Sequence, residues 1–245
     1  MAKQSTATAT NLLLTRPEAQ SRAFAAALAL RFGDRLRTVV APLMAPRFLS
    51  PQLPEGPFDA VIFTSATAVE AARRLGTLLP TRAWCVGTRT AEAAQAAGFN
   101  ASSTNGDAAD LVAAILSDPP KGRLLHLSGQ DSRGDVAERL TAHGITTIAT
   151  LIYRQEPQPL TPEAIALLQG PAPLILPIFS PRSAALLAAA LPTTTRARLH
   201  VAAISAAVAE AAALIPHVAL VIARHPDADG MLNVVGTLLA ANPLP

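Results

Sequence analysis

Val-Ile-Phe-Thr-Ser-Ala-Thr-Ala-Val at 61–69 decides the fold, because a variant of it returns about 115 residues later as Leu-Pro-Ile-Phe-Ser-Pro-Arg-Ser-Ala at 176–184. Two further pairs of stretches correspond in the same way, namely 12–16 with 124–129 and 86–94 with 204–212. The chain therefore reads A-B-C-A′-B′-C′. Each segment is a short apolar strand, a turn rich in Ser, Thr or Gly, and a helix rich in Ala and Leu.

The strand-like runs are short and do not alternate between apolar and polar residues, as in Ala60–Phe63 and Leu174–Phe179. Helical patterns such as Ala66–Leu75 and Pro181–Ala190 lie between them. Strands that are buried on both faces and alternate with helices are typical of a parallel sheet covered by helices on each side. We therefore predict an α/β protein with two similar flavodoxin-like parallel-sheet lobes.

Two proline-rich segments, Ala41–Pro57 and Arg154–Pro162, each follow the first segment of a repeat. Proline favours extended backbone, so both could cross between lobes as a two-segment hinge, with the second lobe inserted into the first. Lobe 1 would then comprise residues 1–43 plus 158–245 and lobe 2 residues 47–153, with connectors at 44–46 and 154–157. Two sequential lobes that divide near residue 120 are the simpler alternative.

The composition narrows the possible partners. The 245 residues carry a net charge of +3 with a sequence pI of about 9.7, which favours anionic ligands. However, 18 of the 20 basic residues are Arg, which the base composition of a genome could also produce. Only two lysines, 4% aromatic residues and no basic cluster argue against nucleic acid.

Cys85 is the single cysteine, which excludes an internal disulfide and a thiolate zinc cluster and suits a reducing cytoplasm. We expect no membrane segment, because Glu210 and Pro216 interrupt the most apolar stretch, 201–223. The first ten residues lack the apolar core of a secretory signal. The chain contains no standard phosphate-binding, dinucleotide-binding or nucleophile motif, and its five histidines have no ligand spacing, so we expect no metal and no cofactor.

Hydroxyl-bearing turns recur where a strand ends and a helix begins. Such turns lie at the carboxyl edge of a parallel sheet, where ligands bind and helix N-termini attract anions. Each hydroxyl could also simply cap its helix, but their recurrence favours a substrate-binding site. The predicted substrate-binding residues are Thr15, Arg16, Thr64, Ser65, Thr88, Ser128, Gly129, Ser180 and Ser205.

Tyr153 is the only tyrosine and ends a predicted strand at the point where the chain should leave lobe 2. A phenol at the mouth of a cleft between lobes could donate a proton to a leaving group. Alternatively, the ring could anchor the hinge with its hydroxyl in water.

These same stretches resemble the uroporphyrinogen-III synthase family over about residues 11–240. The resemblance rests on short motifs in a fixed order, which are Leu-Leu-Thr-Arg-Pro at 13–17, Pro-Leu at 42–43, Ile-Phe-Thr-Ser-Ala-Thr-Ala-Val at 62–69, Val-Gly-x-x-Thr-Ala at 86–91, Ala-Ala-Gly-Phe at 96–99, Ile-Tyr-Arg at 152–154, Phe-Ser-Pro-Arg-Ser-Ala at 179–184 and Ala-Ile-Ser at 203–205. Two positions depart from the family pattern. Ser128-Gly129 stands where the family usually has Arg-Gly, and Val208-Ala209 where it usually has Thr-Ala.

The resemblance implies a cofactor-free lyase that cyclises linear hydroxymethylbilane to uroporphyrinogen III, with loss of water and inversion of ring D, in tetrapyrrole biosynthesis. It implies Tyr153 as the catalytic acid, because the family has a tyrosine at this strand end. We further expect a cytoplasmic monomer that receives its substrate from the preceding pathway enzyme. The alternative function is a bilobal cytoplasmic module that binds or senses a small anion without catalysis.

Overall fold

The structure is a computed structural model that describes residues 9–104, 106–132 and 134–241. Its first elements are β1 (Thr10–Leu14), α1 (Glu18–Phe32), β2 (Leu36–Val40), β3 (Met44–Phe48), β4 (Ala60–Phe63), α2 (Ala66–Arg74), β5 (Arg82–Cys85), α3 (Thr88–Ala96), β6 (Asn100–Ser103) and α4 (Ala108–Ser117). The chain continues through β7 (Leu124–Gly129), α5 (Val136–Ala142), β8 (Thr147–Pro157), α6 (Pro162–Gln169), β9 (Pro173–Ile178), α7 (Pro181–Ala190), β10 (Arg198–Ala203), α8 (Ala206–Ala211), β11 (Ala219–Ile222) and α9 (Ala228–Ala241). Within these described ranges, every helix is too short or too polar to cross a membrane.

The described chain forms two compact units. Lobe 1 comprises the residues up to Ala45 and those from Pro157 onward, and lobe 2 comprises Pro46–Glu156. The predicted connectors, residues 44–46 and 154–157, lie within β3 and β8. Their role as a hinge stays a prediction.

Lobe 1 contains a five-stranded sheet in the order β2-β1-β9-β10-β11, and all of its neighbouring strands are parallel. β1 pairs with β9 through Asn11 opposite Leu174 and Leu12 opposite Ile175. The interleaved arrangement predicted this pairing, since it places segment A in one sheet with B′ and C′. In order of appearance within lobe 1, the strands follow the flavodoxin-like sequence 2-1-3-4-5.

The interior strand β1 shows that helices cover both faces of the lobe 1 sheet. Leu12, Leu13 and Leu14 are all almost fully buried, with Leu13 on one face of the sheet and the other two on the opposite face. Leu13 belongs to the cluster formed by α6, α7 and α8, whereas Leu12 and Leu14 pack with α1 and α9. Each buried leucine contributes roughly 2 kcal/mol relative to an exposed one.

Lobe 2 contains a six-stranded sheet in the order β3-β8-β7-β4-β5-β6. The pairs β7–β8, β4–β7, β4–β5 and β5–β6 are parallel. The order β8-β7-β4-β5-β6 therefore repeats β2-β1-β9-β10-β11 of lobe 1 with the chain permuted. The prediction of two similar flavodoxin-like α/β lobes is confirmed.

The edge strand β3 differs from the purely parallel sheet that we predicted. The Leu49 amide donates to the Ile152 carbonyl at 2.9 Å, and the Gln158 amide donates to the Leu43 carbonyl at 2.9 Å. Residue numbers that rise on one strand while they fall on the other identify β3 and β8 as antiparallel. Proline is tolerated on an edge strand, which explains how Pro46 fits within β3.

His126 in β7 is buried in lobe 2, with 4% of its surface exposed. Its Nε2 is buried and has no hydrogen-bond partner, and burial lowers its pKa to about 4. The charged imidazolium is therefore much less favourable in the folded protein than in the unfolded chain, where the pKa is near 6.5.

We expect the free energy of unfolding to decrease as the pH falls from about 6.5 to about 4, because only the unfolded chain protonates His126 in that window. The full contribution of this group is roughly 3 kcal/mol. Urea denaturation at several pH values should show this loss, and His126→Leu should reduce it. The exposed His143 in lobe 2 provides the control, His143→Leu. An equal pH dependence in His126→Leu and the parent would contradict the assignment.

Candidate functional site

The predicted turns of lobe 1 lie at the carboxyl edge of its sheet. Thr15 and Arg16 follow β1, Ser180 follows β9 and Ser205 follows β10. β1 is the strand at which the chain order reverses, and ligands of open parallel sheets bind at this edge beside such a switch point.

Thr15 and Arg16 present different chemistry at this edge. Thr15 is only 2% exposed, and its carbonyl accepts a hydrogen bond from the Leu43 amide at 3.1 Å. The Arg16 guanidinium stacks over the Phe179 ring, with 3.8 Å between its Cζ and the ring centroid. Of these two residues, Arg16 therefore presents the cation, whereas Thr15 is a buried part of the strand end.

Ser180 and Ser205 also differ. The Ser180 Oγ accepts from the Ser183 amide at 3.1 Å and therefore caps α7. Ser205 has the extended backbone of an N-cap, but its hydroxyl makes no capping bond to α8. Helix capping therefore explains the hydroxyl of Ser180 but not that of Ser205.

In lobe 2, the carboxyl edge carries a cleft of ≈ 470 Å³. The cleft lies beside β7 and β4, which are the neighbouring strands where the chain order of this lobe reverses. It is lined by Thr64, Ser65, Val86, Asp107, Ala108, Ala109, Asp131, Ser132, Gly134, Arg139 and Tyr153. The structure thus brings Tyr153 together with the predicted Thr64 and Ser65.

A hydrogen bond joins Tyr153 to Ser65. Their hydroxyl oxygens are 3.0 Å apart, and either atom can be the donor. The same Ser65 Oγ accepts from the Ala68 amide at 3.1 Å and thereby caps α2. One serine therefore connects the first turn of α2 to the phenol. Beside it, the Thr64 Oγ1 lies 3.3 Å from the Ser132 Oγ.

Gly129 lies directly beneath the Tyr153 ring. A Cβ atom built on Gly129 would stand 2.6 Å from both Cε1 and Oη of Tyr153, which no real side chain tolerates. The register of β7 with β8 shifts at this point, so that Ser128 pairs with Leu151 and Gly129 with Tyr153. Glycine is the residue that permits such a close approach.

The other predicted residues of lobe 2 do not line this cleft. Ser128 is buried and borders, with Gly129 and His126, a second cavity of ≈ 380 Å³. Thr88 is an exposed residue in the first turn of α3. Thr88 follows β5 as predicted, whereas Ser128 lies inside β7, and neither joins Tyr153 and Ser65 around the cleft.

The sequence interpretation missed the charged residues of the cleft. The Asp107 carboxylate caps α4 by accepting from the Ala109 and Asp110 amides at 2.7 and 3.2 Å. Arg139, from the exposed side of α5, is the one arginine among the described residues that line the cleft. The sequence did carry a signal for Arg139, because it lies one turn into the helix that follows β7, and the turn after β7 resembles the other strand-to-helix turns.

The geometry supplies a proton donor, a cation and amide donors. Over the parts of the chain that the structure describes, no three His, Cys, Asp or Glu side chains cluster closely enough to hold a metal ion. The phenol, the Arg139 guanidinium and the helix amides can bind an anionic ligand and donate a proton to it.

Comparisons with known proteins identify the family. Residues 25–233 of the 245 match the family described as Uroporphyrinogen-III synthase HemD. None of the curated proteins matches the sequence significantly.

A solved structure supports the comparison at the level of the fold. The uroporphyrinogen-III synthetase of Helicobacter pylori 26695 is 18% identical, with a TM-score of 0.62 over 94% of this chain and 99% of that one. A mutant uroporphyrinogen III synthase of Thermus thermophilus is also 18% identical, with a TM-score of 0.45 over 96% of this chain and 100% of that one. Because the family match spans most of its length, the chain belongs to the uroporphyrinogen-III synthase family.

Proposed function

We propose that this chain cyclises hydroxymethylbilane to uroporphyrinogen III and that Tyr153 in the lobe 2 cleft is its general acid. Members of this family are lyases of tetrapyrrole synthesis. The finer assignment, a cyclising hydro-lyase, rests on one observation above all. The only phenol of the chain lies at the carboxyl edge of a parallel sheet, in a cleft, with its hydroxyl bonded to Ser65.

The chemical step needs a proton. The bond between the oxygen and the terminal hydroxymethyl carbon, at the end of the substrate opposite ring D, breaks, the Tyr153 hydroxyl gives its proton to that oxygen, and water leaves. Closure through a spiro intermediate inverts ring D, and a proton released as the macrocycle forms restores the phenol. A positioned acid of this kind typically contributes 10²–10⁴-fold to a rate.

Orientation supplies the rest of the proposed mechanism. The substrate is a flexible chain of four pyrroles, and holding its two ends together avoids much of the entropic cost of closure, an effect of roughly 7–11 kcal/mol in favourable systems. The residues invoked here bind, orient and donate a proton, and the proposal requires no cofactor.

The substrate carries eight carboxylates, and the cleft offers two features that attract them. Arg139 lines the cleft and, within the described residues, forms no salt bridge. The first turn of α2 also points its amides to this edge, and helix N-termini favour anions. Asp131 lies among the same lining residues, and its charge opposes a carboxylate placed beside it. Among the described residues that line the cleft, Arg139 is therefore the cationic side chain that can pair with one carboxylate.

We propose a cytoplasmic monomer that takes hydroxymethylbilane from the preceding enzyme of the pathway. The low lysine and aromatic content supports the absence of a nucleic-acid partner.

The isomer of the product tests the function. Purified protein incubated with hydroxymethylbilane should yield uroporphyrinogen III, whereas spontaneous closure yields the type I isomer, and chromatography separates the two. Binding of hydroxymethylbilane without any excess of type III would instead indicate a sensor module and overturn the proposal.

Replacing Tyr153 by phenylalanine tests whether its hydroxyl is the general acid. We expect Tyr153→Phe to lower kcat by about 100-fold or less, at the low end for general acids, because hydroxymethylbilane loses water readily without help. Equal unfolding midpoints of parent and variant would exclude a folding defect. If the variant retained activity within about twofold of the parent, Tyr153 would have only a packing role.

Reversing the charge at Arg139 tests the carboxylate contact. We expect Arg139→Glu to raise KM about tenfold, since hydrogen bonds to charged groups are worth about 1.5–3 kcal/mol and this side chain is exposed. The difference in KM between Arg139→Glu and the parent should become smaller at high ionic strength, because salt screens the interaction between exposed charges. Arg73→Glu is the matched control, because Arg73 lies at the opposite end of α2 in the same lobe. Equal KM values for the two variants would exclude Arg139 as a substrate contact.

A further inference from the structure

Tyr153 lies within β8 rather than at a strand end as the sequence predicted, opposite the last residue of β7, and three contacts hold it there. Its hydroxyl bonds to Ser65, its carbonyl accepts from the Gln130 amide at 3.1 Å, and its ring crosses Gly129 where no Cβ fits. The ring also packs against the buried cluster that contains Phe63 and Leu127. The phenol is therefore constrained from the ring face, from the backbone and at its oxygen.

From these contacts, and on the basis of the proposed function, we infer that Gly129 and Ser65 are positioning residues that act through Tyr153 rather than substrate contacts. The sequence placed both among the substrate-binding residues. Their contacts assign them instead to one task, which is to hold the phenol at a fixed place in the cleft.

Gly129 acts by the absence of a side chain. The register shift between Ser128 and Gly129 brings the Tyr153 backbone opposite Gly129, and the ring then occupies the volume that a Cβ at this position would fill. Any larger residue would have to displace either the ring or β7. Because β7 is a central strand paired on both sides, the ring is the part that moves.

Ser65 acts through its hydroxyl. Its oxygen already accepts from the Ala68 amide, which leaves its own proton available to donate to the Tyr153 oxygen 3.0 Å away. In that arrangement the phenol proton is free to point to the substrate. After the proton has left, Ser65 donates to the phenolate that remains, so the contact supports both states of the acid.

The single tyrosine makes the first test direct, and this test needs no enzyme activity. In protein containing ¹³C-labelled tyrosine, all ring signals come from Tyr153. We expect Ser65→Ala to shift the signal of the hydroxyl-bearing carbon and Gly129→Ala to shift the ring signals as a whole. Gly170→Ala is the control, because the nearest atoms to a Cβ there are 3.5 Å away. Ring signals that did not change in folded Ser65→Ala and Gly129→Ala would overturn the inference.

Gly129→Ala could fail to fold, and a second variant covers this outcome. Removing the ring in Gly129→Ala/Tyr153→Ala leaves space for the new methyl group and should restore folding. If this double variant also failed to fold, Gly129 would serve the strand itself and its role toward Tyr153 would be disproved.

A double-mutant cycle tests whether Ser65 affects catalysis through Tyr153. We expect Ser65→Ala to lower kcat about fivefold with little change in KM, as for one hydrogen bond, and Ser65→Thr to recover most of the loss. In the Tyr153→Phe background, Ser65→Ala should have no further effect. A full additional loss in that background would show that Ser65 contacts substrate directly. A parent without type III product would refute the proposed function but leave the ring signals to decide the inference.

Discussion

Parallel pairing of strands that are distant in the sequence is the constraint on which the rest of this molecule depends. β1 pairs with β9 in lobe 1, and β4 pairs with β7 in lobe 2. A parallel pair requires a crossover, so the turns after paired strands gather at one edge together with the helix N-termini. The cleft of lobe 2 forms at such an edge, with Ser65 following β4 and Tyr153 in β8, which lies on the other side of β7.

The sequence predicted the elements whose pattern reflects burial and missed those whose pattern does not. Strands such as β4 are apolar at every position, because both faces of the sheet are covered. β3 contains Pro46, and β6 reads Asn-Ala-Ser-Ser, so neither has that pattern even though each completes an edge of the sheet. For the site, the strand-end rule located Ser65 after β4, whereas Tyr153, which was expected at a strand end, lies within β8 opposite the end of β7. Their contact depends on the β7–β8 register, which no local pattern encodes.

The hydroxyl turns show why capping and function were difficult to separate in the sequence. Ser180 and Ser65 both cap their helices through the residue three positions later. Only Ser65 also bonds to a phenol. The capping bond fixes the Ser65 oxygen relative to α2, so its second bond holds the Tyr153 hydroxyl in a fixed position relative to the same helix. Capping and positioning are thus two uses of one hydroxyl rather than alternatives.

The departure at Ser128 helps to separate the roles of the two residues that end β7. The resemblance leads one to expect an arginine at this position, but Ser128 is buried beside His126 and borders the second cavity rather than the cleft. Gly129, in contrast, matches the family pattern and supports the Tyr153 ring. The Tyr153 ring fits against Gly129 because this residue has no side chain, and this fit does not depend on which residue stands at position 128. The geometry of the phenol can therefore persist while position 128 changes, and Arg139 supplies the cationic character of this cleft from α5.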